Sequence, residues 1–100
     1  MADLNIKQLI LYSPKGILSK ELVKTEQLNI TLFCMTKGTK MSEHTSTKKG
    51  TVYVVEGKGI FELEGKKIEM LPGVLIFMEK NAAHSLKAKE DTSFILTLCG

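Results

Sequence analysis

Alternation of side chains with period two, cut at short intervals by turn residues, constrains this chain more than any other feature. In "GIFELEG" (59–65), Phe61 and Leu63 alternate with Glu62 and Glu64, the pattern of a strand buried on one face. "HSLKAK" (84–89) sets His84, Leu86 and Ala88 on one face and Ser85, Lys87 and Lys89 on the other. "LNITLFC" (28–34) groups Leu28, Ile30, Leu32 and Cys34, while its second face turns from polar to apolar at Phe33. "TVYVV" (51–55) is apolar on both faces and needs cover on each side. "SFILTL" (93–98) reads as a last strand, with Phe94, Leu96 and Leu98 together.

Breaks fall at Pro14-Lys15-Gly16, Lys37-Gly38, Gly57-Lys58-Gly59, Gly65-Lys66, Pro72-Gly73, Lys80-Asn81 and Glu90-Asp91. Glycine and asparagine tolerate positive φ, and proline presets the first turn position. Pro72-Gly73 suits a type II turn, and Gly57-Lys58-Gly59 reads as a hairpin turn. It lacks the spacing of a phosphate-binding loop, and no helix follows it. Many short strands so spaced predict an all-β sandwich or barrel. Residues 3–12 are the exception: they suit either a short helix capped by Asp3 or, through "LILY", an added edge strand.

The 100 residues suffice for one domain spanning 1–100. A core of that size is modest, so a partner subunit would help it. All 14 basic residues are lysine, and the net charge is +3. Bidentate reading of phosphates or bases favours arginine, so nucleic acid is not an expected partner. The first residues hold only the short apolar run 9–12, too little for a signal peptide or membrane span. No membrane association and a cytoplasmic location are the expectation. There Cys34 and Cys99, both with apolar neighbours, read as buried thiols. Met35, Met41, Met70 and Met78 are scattered without ligand spacing and read as core.

Two histidines, His44 and His84, bracket the strongest motif. Gly38, five residues, His44, then Tyr53-Val54-Val55-Glu56-Gly57 matches a first motif. Gly65, Pro72-Gly73 and His84 match a second. Together, over about 28–98, they resemble the cupin family. The resemblance implies a double-stranded β-helix, or jelly-roll barrel, whose usual metal site has three histidines and a glutamate. Here the second histidine of the first motif falls at Ser46 and the glutamate at Gly50. Val74 stands where an aspartate is frequent, and Glu79 where a proline is usual. Two imidazoles hold a divalent ion weakly, because open catalytic sites normally keep three protein ligands. A third ligand is sought in Cys34, whose strand precedes the motif with its apolar face expected inward, or in Glu79, in the loop approaching His84.

The resemblance therefore implies a barrel that binds a small molecule, with its mouth lined by His44, Ser46, Val52, Val54, Phe61 and His84. A metal-dependent enzyme of dioxygenase or isomerase type is the alternative. It would use His44, His84 and a divalent transition metal (zinc, copper, iron, manganese or nickel). A structural or regulatory homodimer with a closed core is the third reading. In the register the resemblance implies, Val52 and Val54 share parity with His44 and Ser46 and face the cavity, so Thr51, Tyr53 and Val55 face outward and need cover. The N-terminal "LNIKQLILY" could supply it, from its own chain or from a neighbour's, and the resemblance implies a homodimer through this sheet.

Overall fold

The computed structural model describes residues 3–100. Among them, nine strands follow one helical turn, α1 (Ile6–Leu9). The strands are β1 (Ile17–Lys24), β2 (Leu28–Met35), β3 (Lys40–His44), β4 (Lys49–Glu56), β5 (Gly59–Leu63), β6 (Lys66–Met70), β7 (Leu75–Met78), β8 (His84–Ala88) and β9 (Thr92–Cys99). They form a five-stranded sheet ordered β1-β2-β9-β4-β7 and a four-stranded sheet ordered β3-β8-β5-β6. All pairings are antiparallel. The five periodic segments become β2, β4, β5, β8 and β9.

The inner faces of the two sheets close on one core. Val52 and Val54 of β4 meet Phe61 of β5, Leu86 and Ala88 of β8, and Phe94 of β9. Each fully buried valine, leucine or phenylalanine side chain is worth about 1.5–3 kcal/mol. The parity expected for β4 holds: Val52 and Val54 are buried, and Tyr53 is exposed.

Turn chemistry explains the connections. Leu71–Val74 is the expected type II turn: the Val74 N–H donates to the Leu71 carbonyl at 3.0 Å, and Gly73 has φ 93°. Between β5 and β6 the turn is Glu64-Gly65, one residue earlier than expected. Both have positive φ (49° and 79°), as a two-residue hairpin of the primed kind requires. Gly57-Lys58-Gly59 is not a hairpin. It carries the chain from the five-stranded to the four-stranded sheet. There the Lys58 N–H donates to Thr92 Oγ1 at 3.1 Å. A Cβ at Gly57 would meet the Asp91 carbonyl, so the crossover lies flat against the turn before β9.

Residues 3–12 yield only the single turn α1. Asn5, not Asp3, holds its N-cap position, and no side-chain capping bond forms. One turn fixes many dihedrals for few hydrogen bonds, so such a segment is ordered by its packing. Leu9 and Leu11 lie over the outer face of the five-stranded sheet. With Leu18, Leu32 and Cys34 they line an open groove of about 220 Å³. Tyr12 Oη donates to Glu56 Oε2 at 2.9 Å and pins the segment's end. Burial first, with the Glu56 carboxylate adding to it, holds the Tyr12 phenol well above its usual pKa. Both cysteines are free; Cys34 is buried, but Cys99 is exposed at the end of β9, contrary to expectation. No helix among the described residues is long and apolar enough to cross a membrane.

Candidate functional site

His84 opens β8, which lies between β3 and β5 in the four-stranded sheet. Period two directs His84, Leu86 and Ala88 inward, and all three are buried. The imidazole stacks on Phe61, with ring centroids 5.8 Å apart and planes within 4°. His44 closes β3, an edge strand, and its backbone pairs directly with His84. The two imidazoles meet edge to face, with centroids 4.2 Å apart and planes at 63°. His84 is 7% exposed and His44 is exposed. The pair therefore joins the core to the surface.

Both rings are oriented by the same device. His44 Nδ1 lies 2.7 Å from the Ser42 carbonyl, and His84 Nδ1 lies 3.0 Å from the Ala82 carbonyl. A carbonyl oxygen only accepts, so each Nδ1 donates its proton and each neutral ring keeps its Nε2 lone pair. A backbone carbonyl behind the imidazole is the usual support of a ligating histidine. Glu64 steadies the same region: its Oε2 accepts the Ala83 N–H at 2.8 Å, and its own N–H donates to the Ala83 carbonyl at 2.8 Å. The residue before His84 is thus gripped by the β5–β6 turn.

Behind the pair lies a cavity of about 50 Å³, lined by both histidines and by Val52, Phe61, Met41 and Met78, among other apolar groups. Four of the six expected mouth residues, His44, His84, Val52 and Phe61, are brought together here. Val54 is fully buried in the core and does not line the cavity. Ser46 lies in the loop after β3. Its Oγ accepts the Lys48 N–H at 3.2 Å, and its carbonyl accepts the Asn81 N–H at 2.6 Å. It ties two loops together and takes no part in the cavity wall.

Neither expected third ligand joins the histidines. Cys34 is on the outer face of the five-stranded sheet, in the wall of the groove beneath the N-terminal segment. The inward residue of that pair is Phe33, whose ring stacks on Phe94 with centroids 5.1 Å apart. Glu79 is exposed and lines a separate groove with Lys80 and Cys99. Among the described residues, no three His, Cys, Asp or Glu side chains are grouped to hold a metal ion. The motif's carboxylate position is closed as well. A Cβ on Gly50 would lie 2.5 Å from the Thr97 carbonyl oxygen and 2.8 Å from Leu98 Cδ2.

Met41 and Met78 are cavity residues that the spacing of methionines concealed. β3 is bulged between Met41 and His44: three steps along β3 match two along β8, from Leu86 to His84. The bulge returns Met41 and His44 to one face. Met78 is the cross-strand partner of Gly50. Directly opposed residues share a face, so Met78 projects on the side where a residue-50 side chain would.

Two antiparallel sheets closed over an apolar core, with paired imidazoles on the inner wall of one, define a double-stranded β-helix, the jelly-roll barrel. The family model for the cupin domain matches residues 31–99, and the chain belongs to the cupin family. Among solved structures, a conserved protein of unknown function from Streptococcus pyogenes is similar at 25% identity. Its TM-score is 0.90, with 99% of this chain and 88% of that chain covered. A cupin superfamily protein from Desulfitobacterium hafniense shares the fold at 19% identity and TM-score 0.90, covering 96% and 88%. KdgF from Halomonas sp. is similar at 27% identity and TM-score 0.78, covering 84% and 78%. No curated protein matches the chain.

Proposed function

We propose that this cupin is a binding protein that holds a single ion or a ligand of a few atoms between His44 and His84. The observation that carries this reading is the pair of Nδ1–carbonyl hydrogen bonds, at 2.7 and 3.0 Å. They fix two adjacent rings with both Nε2 lone pairs available. The size of the enclosed space favours a very small ligand. At about 50 Å³ it falls far below the roughly 300–1,000 Å³ of sites that enclose organic ligands. A metal ion or small anion fits that volume.

Metal analysis of protein purified without an affinity tag, followed by calorimetric titration, tests this. One ion or small anion per chain, lost in His44→Ala and in His84→Ala, is the expected result. No heat from transition-metal ions or small inorganic anions, or equal binding by both variants, overturns it.

A second observation favours a homodimer. Tyr53, Leu75 and Phe77 are 47%, 64% and 53% exposed. Tyr53 pairs with Leu75, and Phe77 pairs with Thr51, so the three form one apolar patch on β4 and β7. A small domain gains from covering such a patch. A cytoplasmic location is proposed on the two free thiols, which suit a reducing compartment.

A further inference from the structure

The ligand set at the histidine pair differs in kind from the three-histidine, one-glutamate set that the motif leads one to expect. We infer that the cavity is a soft-metal site of two imidazoles, His44 and His84, and two thioethers, Met41 and Met78, suited to monovalent copper. The inference rests on the proposed histidine site and names what that site selects.

Three observations converge. First, both thioether side chains line the same small cavity as the two rings. The β3 bulge sets Met41 on the same face as His44, and alternation along β7 buries Met78 with Ile76 while Leu75 and Phe77 face out. Second, the hard donors are gone from the cavity. Ser46 is spent on loop contacts, Glu79 lies in another groove, and Gly50 has no room for a carboxylate. Thioether and imidazole donors select copper(I), whereas magnesium, calcium and manganese require oxygen.

Third, all four donors are neutral, and no acidic side chain lines the cavity. The cost of holding an ion in an apolar surrounding rises steeply with its charge. Without a compensating carboxylate, a +1 ion is favoured over a +2 ion. The ordinary role of methionine is to fill irregular core space, and leucine fills much the same volume without a sulfur donor. Methionine-to-leucine variants therefore separate ligation from packing.

The test is anaerobic titration of the purified protein with copper(I) against bicinchoninate. A parallel zinc(II) titration uses a chromophoric zinc indicator, and X-ray absorption at the copper edge reports the donors. One copper(I) per chain is expected, with sulfur scattering. Met41→Leu and Met78→Leu should each weaken copper(I) binding at least tenfold and leave zinc binding unchanged. His84→Ala should abolish both. Undiminished copper(I) affinity in the Met41→Leu/Met78→Leu double variant, or a copper edge without sulfur, overturns the thioether assignment. If His84→Ala still abolishes binding in that case, the histidine site itself stands. Zinc(II) bound more tightly than copper(I) by the unaltered protein also overturns the inference. Thermal melts of each variant confirm that it is folded.

Discussion

Gly50 offers the most quantitative test of how closely the barrel is packed at its lost ligand position. β4 is an interior strand with β9 on one side and β7 on the other, so neither neighbour yields freely. A Cβ placed at residue 50 lies 2.5 Å from the Thr97 carbonyl oxygen and 2.8 Å from Leu98 Cδ2. Ordinary contact would need β9 to retreat by about 1 Å, and interiors close-packed like crystals resist that. Overpacking of this kind costs about 1–3 kcal/mol. Replacing glycine by alanine also restricts the unfolded chain, which offsets about 0.4–1 kcal/mol. Because the closest contact is with backbone, the upper half of the overpacking range applies, and the net loss expected for Gly50→Ala is about 1–2 kcal/mol. For a domain near 100 residues that lowers the melting temperature by about 5–15 °C. Gly50→Glu should fall further, because it adds a buried carboxylate to the same clash. Thermal unfolding followed by far-ultraviolet circular dichroism measures both, with the exposed Lys49→Ala as a control expected within about 0.5 kcal/mol. A Gly50→Ala protein that melts at or above the unaltered one would refute the reasoning.

Tyr12 makes stability sensitive to alkali. Its phenol is held above the ordinary value by burial and by Glu56, so the folded state keeps a proton that the unfolded state releases near pH ~10. The contribution is whole below that pH and drains as pH climbs toward the folded-state value. Urea midpoints at pH 9 and 11 should drop more for the unaltered protein than for Tyr12→Phe, and equal drops would remove Tyr12 from the account. Light scattering at micromolar concentration should give twice the chain mass of 11.1 kDa, and Phe77→Glu should halve it; a monomeric unaltered protein overturns the homodimer.

Strands whose two faces differ in polarity were legible from sequence. β5 and β8 alternate cleanly because one face meets the core and the other meets water. β1 and β3 escaped notice because each is an edge strand interrupted by a register shift, at Glu21/Val23 and Met41/His44, which breaks the period. β6 and β7 are short, at 5 and 4 residues, and flank the Pro72-Gly73 turn that dominates their local signal. Cys34 faces outward, against the sequence expectation, for a different reason. β2 is apolar on both faces around Leu32–Met35, since the N-terminal segment covers the outside as the core covers the inside. Alternation then says which residues share a side, but not which side is the interior. The histidine pair was legible because a motif fixes its spacing. The methionines were not, because a bulge and a cross-strand contact leave no fixed interval along the chain.

The two halves of the histidine pair are not equally anchored. β8 is flanked on both sides, by β3 and β5, while β3 has a neighbour on one side only. Peripheral strands breathe at a fraction of the free energy that global unfolding demands. A ligand held between the rings, as proposed, would therefore come and go by fraying of β3, with His84 held in place and His44 moving with its strand. Exchange would then follow the amide-hydrogen protection of residues 40–44, and the barrel would stay closed throughout.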